Sequence, residues 1–592
     1  MKRHSIFGGC LLALALSAAA SAQSPRVQDQ PDDGQWVMAA KNYASTRFST
    51  LTDINTQTVK NLKLAWTFST GLTRGHEAAP LVVSNTMYIV TPWPNILYAL
   101  DLTKPGGTVK WSYQPKPSPS SQGVACCDVI NRGAAYFNGR IYYNTLDLHT
   151  VAVDAATGKE IWNTKLGDIN KGESMTMAPI VAKGVVIAGN SGGEFGVRGW
   201  LTGLDAKDGK ILWRAYAAGP DKDVLIGPNF HPFYSADRSP DLGAKTWPGD
   251  AWKIGGGSGW SWISYDAELN LIYYGTSNPG PWNADQRPGD NKWTCSIFAR
   301  RPETGEAIWA YQINPHDDHD YDGVNENVLL DLTINGRVRK VLVHPDRNAR
   351  MYVIDRATGE VISAETYAYQ NTSEGVDLKT GRIKTNPAKA TGLKTGKDIC
   401  PAPPGGKDWQ PSAFSPRTGW LYVPHNNLCY EAQSVEANYI AGTPYVGQNV
   451  RMYPGPGGHR GEFSAWDPVA GKTMWTVKEM FPAWSGAVVT AGDVVFYGTM
   501  DGWFRALDAK TGMQLWQFKV GSGIISQPIT YKGPDGKQYV AVLSGVGGWA
   551  GAIVAGTLNA DDGTGALGFL NAMADLPKYT TKGGMLYVFA LP

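Results

Sequence analysis

The sequence predicts an all-β chain, an eight-bladed β-propeller closed by tryptophan-docking repeats. Three observations predict it. A short unit recurs, built as small residue, apolar residue, Asp, two variable residues, Thr-Gly, three residues and Trp, as in AVDAATGKEIW ending at Trp162 and ALDAKTGMQLW ending at Trp516. The units keep a period: Trp111, Trp162 and Trp213 are spaced evenly by roughly 50 residues, and Trp309 follows after roughly twice that interval. Between them lie short β-prone runs, and the 69 Gly and 37 Pro supply many turns.

Taken in order, the chain begins with the marks of an export signal. Lys2 and Arg3 precede the apolar run Ile6 to Leu16, and Ala20-Ser21-Ala22 forms a small-residue cleavage site. Residues 1–22 are therefore expected to be removed, leaving residues 23–592 as a single propeller domain. The apolar run is too short for a membrane span, and no later run is longer. Export implies the periplasm and an oxidising compartment, in which Cys126, Cys127, Cys295, Cys400 and Cys429 can form disulfides. Lys+Arg 54 against Asp+Glu 52 argues against a nucleic-acid partner. No Cys-x-x-Cys-His occurs, so no covalent haem is expected.

In each repeat, Asp and Thr-Gly make a tight turn between two strands, and Gly takes a backbone angle that other residues avoid. Strands are expected at Met87 to Val90, Arg140 to Asn144 and Val494 to Gly498, with a last one from Met585 to Leu591. The repeated Trp is expected between neighbouring blades, with its N–H on a backbone carbonyl. Further units end at Trp213, Trp309 and Trp475, and VIDRATGEVIS carries Ser363 in the Trp place. Tyr367 to Gly406 breaks the rhythm and reads as an excursion from the ring. Asn559 to Lys582 is a second irregular stretch.

The chemistry-bearing stretch is Asn314 to Asn327, NPHDDHDYDGVNEN, a loop leaving a strand. If Asp320-Tyr321-Asp322 is extended, its two carboxylates point to one side and call for a cation between them. An acidic loop facing solvent is the alternative for such a cluster taken alone. The adjacent pair Cys126-Cys127 is unusual as well. A disulfide between neighbours closes a small ring with a strained peptide, a device held mainly at functional sites; free or separately paired thiols are the alternative.

Many segments in order match one family. They include GHEAAP at Gly75 to Pro80, CCDVINRG at Cys126 to Gly133, GNSGGEFGVRGW at Gly189 to Trp200 and GGGSGWSW at Gly255 to Trp262. GTSNPGPWN at Gly275 to Asn283, the acidic loop, HPDRNARMYVIDR at His344 to Arg356, HNNLCYE at His425 to Glu431, FPAWSG at Phe481 to Gly486 and GVGGWAG at Gly545 to Gly551 continue the match. The chain resembles the pyrroloquinoline quinone (PQQ)-dependent alcohol dehydrogenases, the methanol dehydrogenase large-subunit group in particular, across essentially all of its mature length.

The resemblance implies a set of roles. Cys126-Cys127 form a disulfide over one face of the quinone, and Trp260 stacks on the other. Glu77, Arg132, Thr176, Ser258, Asn426, Trp484 and Trp549, with the backbone at Gly192 and Gly193, hold its edge. Ser258 stands where relatives often carry Thr, and the hydroxyl survives. Arg347 sits by the reactive carbonyl oxygen, Asp320 is the catalytic base, and Glu194, Asn278 and Asp320 are metal ligands. Cys400 and Cys429 form a structural disulfide, which leaves Cys295 over. The implied reaction is oxidation of short primary alcohols such as methanol or ethanol. Electrons would pass to a soluble periplasmic cytochrome c, and the resemblance leaves room for a homodimer.

The metal follows from Asp322. Calcium-dependent members carry a small apolar residue two positions after the catalytic Asp, and lanthanide-dependent members carry Asp. Glu194, Asp320 and Asp322 together offer three negative charges, which suits a trivalent ion. At an effective dielectric near 20, the added carboxylate favours a 3+ over a 2+ ion by ~4 kcal/mol before desolvation. A calcium-dependent ethanol dehydrogenase and a non-catalytic propeller scaffold are the competing readings, and a scaffold needs none of these site residues.

Overall fold

The computed structural model describes residue 1 and residues 32–592, so the expected export signal lies outside the described residues. Among the described residues no helix is long and apolar enough to cross a membrane. The chain is a β-propeller. Among the described residues, seven four-stranded sheets and one five-stranded sheet carry the fold, each an antiparallel four-stranded meander, to which Phe48–Ser49 adds a fifth strand in parallel in one sheet. In six of the sheets the four meander strands follow one another in the chain, joined mostly by tight turns, with longer segments such as 276–295 between two of them.

The expected strands are present at Thr86–Val90, Arg140–Asn144, Val494–Gly498 and Met585–Ala590. The ring is closed by its ends. Lys63–Ser69 pairs with Met585–Ala590, so the first long strand and the last share one sheet. This non-local pairing spares the propeller an open edge.

Tryptophan docking follows the expectation in four repeats and adds a contact there, while Trp111 keeps a buried Nε1 without a hydrogen bond. Nε1 of Trp162, Trp213, Trp309 and Trp475 donates to the carbonyls of Ala206, Pro302, Arg356 and Ala509 in the next unit at 3.2, 2.9, 3.1 and 3.1 Å. Each ring also lies flat on the turn glycine of that next unit. A Cβ built on Gly209 would stand 2.6 Å from Trp162, and one on Gly512 would stand 2.6 Å from Trp475. Glycine is thus needed twice, for its positive φ and for the ring's approach. Where Ser363 replaces Trp, Gly471 of the following unit meets the flexible Glu365 chain instead.

The excursion after Tyr367 exists and is larger than expected. It contains a hairpin, Ser373–Asp377 with Arg382–Thr385, and a three-stranded sheet in which Gly396–Ile399 pairs with Leu428–Ser434, itself paired with Gln448–Pro454. Residues 428–454 therefore leave the ring as well. The Cys400–Cys429 disulfide staples the two pieces, and Cys295 is buried and free. The irregular stretch Asn559 to Lys582 holds the short helix Phe569–Met573.

The segment from Gly34 to Arg47 runs a circuit inside the propeller, along the innermost strands. Gly34 accepts from Lys532, Trp36 exchanges two backbone bonds with Val82, and Val37 accepts from Tyr136. The Tyr43 hydroxyl donates to the carbonyl of Val181 at 2.6 Å. The carbonyls of Tyr43, Ala44, Thr46 and Arg47 then accept from Tyr265, Leu329, Phe414 and Val489 in turn. One irregular segment thereby bonds to the inner strand of every sheet of the ring.

Candidate functional site

The inner strands deliver the site. Glu77 precedes Leu81–Val83, Arg132 precedes Ala134–Phe137, Thr176 precedes Ile180–Ala182, and Trp260 precedes Ser264–Asp266. Asp322, Trp409 and Trp484 stand likewise before Val328–Ile334, Ala413–Ser415 and Val488–Thr490. Because every inner strand starts at the same end of the ring, these side chains converge on one cleft of about 710 Å³, its open mouth included.

Of the residues proposed from sequence, Glu77, Cys126, Cys127, Arg132, Thr176, Gly192, Glu194, Trp260, Asp320, Asp322, Arg347, Trp484 and Trp549 line the cleft. Gly193, Ser258, Asn278 and Asn426 do not; they stand behind its wall. Ser258 bonds Ser277 at 2.8 Å, and the Asn426 amide donates to the carbonyl of Gly405 at 3.1 Å. Asp408, Trp409 and Trp282 also line the cleft and were missed. Trp409 had a readable signal: it stands before Ala413 at the same spacing as Trp484 before Val488 and Trp260 before Ser264.

One part of the cleft is flat and cationic. Cys126 and Cys127 are joined in a disulfide. The Arg132 guanidinium lies 4.8 Å from the Trp260 ring and 5.0 Å from the Trp409 ring, an attraction between cation and ring face. Arg132 Nη1 donates to Thr176 Oγ1 at 2.7 Å, while its Nε stands 3.0 Å from Glu77 Oε2 at an angle that makes no hydrogen bond. Burial pushes the Glu77 carboxyl up to about 8 against the pull of Arg132.

The other part is acidic. Asp320 adopts φ +67°, so the extended geometry expected for Asp320-Tyr321-Asp322 is not what brings the carboxylates together. The Asp317 carboxylate instead holds the turn, accepting from the backbone N–H of Asp320 at 2.9 Å and of Tyr321 at 3.2 Å. Both carboxylates still meet one group: Arg347 Nη1 donates to Asp320 at 3.0 Å, and its Nη2 stands 3.5 Å from Asp322 and donates to Asp408 at 2.8 Å. Asp322 further accepts from the backbone N–H of Asn278. Glu194 follows Gly192, whose φ of +121° turns the chain into the short turn Gly193–Phe195.

Desolvation dominates here. It raises Asp320 well above the carboxylate range, with Arg347 opposing and the Asp322 and Glu194 charges adding. It raises Asp322 to about 8 against Arg347, and raises Glu194 as well. Burial lowers the Arg347 affinity for its proton, but Asp322, Asp408 and Asp320 outweigh it and the net shift is upward. Three acids raised by burial, beside an Asn278 Oδ1 with no hydrogen-bond partner, fit a hard cation with oxygen ligands. Among the described residues no three acidic, His or Cys side chains are already gathered around one point; Asp320 and Asp322 are turned to Arg347. Glu77 Oε2, Arg132 Nε, Arg347 Nε, Asn426 Oδ1 and Trp484 Nε1 are likewise buried without hydrogen bonds, the pattern that a polar-edged aromatic ligand would satisfy.

The family model described as "Glucose/ethanol/alcohol dehydrogenase, beta-propeller domain" matches residues 36–367 and 460–540. The chain belongs to the PQQ-dependent alcohol dehydrogenase family. Among members of this family it is 54% identical to the lanthanide-dependent methanol dehydrogenase of Methylacidiphilum fumariolicum (strain SolV), over 97% of this chain and 95% of that protein. It is 44% identical to subunit 1 of the methanol dehydrogenase [cytochrome c] of Methylobacterium organophilum, over 99% of this chain and 96% of that protein. It superposes on the solved structure of a europium-containing methanol dehydrogenase with a TM-score of 0.93 and 54% identity, covering 95% of this chain and 98% of that one.

Proposed function

We propose that this quinoprotein, after removal of residues 1–22, works in the periplasm as a single eight-bladed domain that oxidises methanol, ethanol or a similar short primary alcohol to the aldehyde. A lanthanide ion serves it, and a cytochrome c takes the electrons, as the names of its relatives suggest. The observation that carries the reading is the acidic part of the cleft, where Glu194, Asp320 and Asp322 stand beside the cationic, tryptophan-lined part. A scaffold has no use for buried acids at that cost.

PQQ supplies the two-electron acceptor when bound, and the metal ion supplies Lewis acidity. The chain's own groups do the rest. Trp260 and the Cys126–Cys127 disulfide would hold the quinone plane, and Glu77, Arg132, Thr176, Trp484, Trp549 and the Gly192 backbone, which line the cleft, would hold its edge, backed by Gly193, Ser258 and Asn426 behind the wall. Glu194, Asn278, Asp320 and Asp322 hold the metal. Asp320 takes the hydroxyl proton of the alcohol as a hydride equivalent leaves its α-carbon. A bound cation would keep the Asp320 carboxyl ionised and so free to accept the proton. Arg347 offsets negative charge developing beside it.

The test loads metal-free protein and PQQ with calcium or lanthanum and measures metal content and alcohol-dependent dye reduction together. Lanthanum should support turnover and calcium little. Asp322→Ala should depress the lanthanum-supported rate far more than any calcium-supported one. Equal wild-type rates with the two ions would refute the lanthanide assignment.

A further inference from the structure

Arg47 lies at the end of the internal circuit and is wholly buried. Its side chain leaves that circuit toward the floor of the cleft. Nη1 donates to the carbonyl of Ala39, Nε to that of Ala487 at 2.7 Å, and Nη2 to that of Pro528 at 2.8 Å. Nη1 also donates to the Gln527 Oε1 at 3.1 Å. Gln527 is itself wholly buried, and its Nε2 donates to two carbonyls at once, Glu77 at 3.0 Å and Arg132 at 3.2 Å. These two residues supply the carboxyl and guanidinium of the cationic part of the cleft, and they stand just before neighbouring inner strands. Gln527 is thus a clamp across two sheets, held by a guanidinium that belongs to the beginning of the chain.

Placing a charge there is costly. Burial lowers the Arg47 pKa to about 9, and Glu326 is the one charged group that opposes this. Filling the space there would need only apolar packing of the kind Trp36 supplies, whose ring lies 5.3 Å from the guanidinium. What an apolar residue could not do is hold the Gln527 amide in one orientation, with its oxygen toward Arg47 and its nitrogen toward the two carbonyls.

We infer that Arg47 and Gln527 are positioning residues for the quinone, fixing the backbone of Glu77 and Arg132 from below, so that the segment from Gly34 to Arg47 is the base on which the cofactor site is built. Neither residue lines the cleft. The inference rests on the assignment of Glu77 and Arg132 to the edge of PQQ.

The experiment uses the full mature chain. PQQ with lanthanum(III) chloride is titrated by intrinsic fluorescence, and Tm is measured with and without both. Gln527→Glu keeps the shape and the acceptor for Arg47 but turns an oxygen on the two carbonyls. Gln527→Met removes the clamp without adding charge. Both should weaken PQQ binding at least tenfold and shrink the rise in Tm that PQQ and lanthanum give. Arg47→Met should do the same where it folds. Ser45→Ala, which loses a 2.9 Å bond to Ser264 on the same circuit but does not touch Gln527, should lower Tm with PQQ affinity unchanged. Gln527 variants that bind PQQ within twofold of the wild type would overturn the inference. So would a Ser45→Ala protein that loses affinity equally, since the circuit would then act by general rigidity. A wild type that binds no PQQ would instead overturn the assignment beneath it.

Discussion

The rim of tryptophan turns and the acidic cleft use buried polar groups in opposite ways. On the rim the indole N–H groups of Trp162, Trp213, Trp309 and Trp475 each meet a carbonyl, and each of these rings covers a glycine. In the cleft, acids are buried at raised pKa and several hydrogen-bonding atoms have no partner. The rim is paired within itself and spends its contacts on stability. The cleft keeps its bonding capacity for something brought in. A charge or polar atom withheld from pairing is costly, and within a well-satisfied fold it marks the place where a ligand belongs.

That contrast can be broken at several points. The largest effect should come from Asp320→Asn, which removes the base and one metal charge. Turnover should fall by roughly 10²–10⁴-fold, the usual contribution of a positioned acid–base group. Rate must be measured at full metal loading; a loaded variant with wild-type turnover would remove Asp320 from the mechanism. Its unfolding free energy should not fall, because Arg347 keeps Asp322 and Asp408 as partners.

Trp162→Ala attacks the rim. It should cost about 3 kcal/mol of stability, at the lower end for large aromatic truncations, because Trp162 is packed between units and bonds Ala206. Denaturant unfolding measures it. Lanthanum affinity of the folded protein should be unchanged, and a matching loss of affinity would show that rim and cleft are not separate.

A finer comparison lies within the rim. Gly512 and Gly471 both have positive φ, +72° and +63°, so alanine strains the backbone similarly in each. Only Gly512 carries a rigid ring; Gly471 faces the Glu365 chain. Gly512→Ala should therefore cost ~1–3 kcal/mol more than Gly471→Ala. Equal costs would mean that the turn needs glycine for its φ alone.

The smallest effect concerns pH. Burial lowers the pKa of His76 and of His425 to about 4, below the value of about 6.5 expected in the unfolded chain. The folded state then binds fewer protons than the unfolded one between those values. Their contribution to stability is full above pH 6.5 and is lost as pH falls toward 4. Tm followed over that range should drop, and His425→Gln should flatten the slope; an unchanged slope would assign the acid sensitivity elsewhere.

The sequence by itself determined the repeat, the turns, the Asp cluster and the cysteine pair, each of which depends on residues close in the chain, and its resemblance to a family named most other groups of the cleft. Only the tertiary structure decided how these groups meet. The carboxylates of Asp320 and Asp322 converge through a left-handed residue pinned by Asp317 and through Arg347, not through an extended strand. Asp408 joins them from a segment whose local pattern names no partner. Gly34 to Arg47 has no periodicity to read, because its partners are eight inner strands dispersed from Val82 to Lys532. A hydrogen bond between residues hundreds of positions apart leaves no spacing in the sequence, so the reach of Arg47 to Gln527, and of Gln527 to Glu77 and Arg132, exists only once the ring has closed.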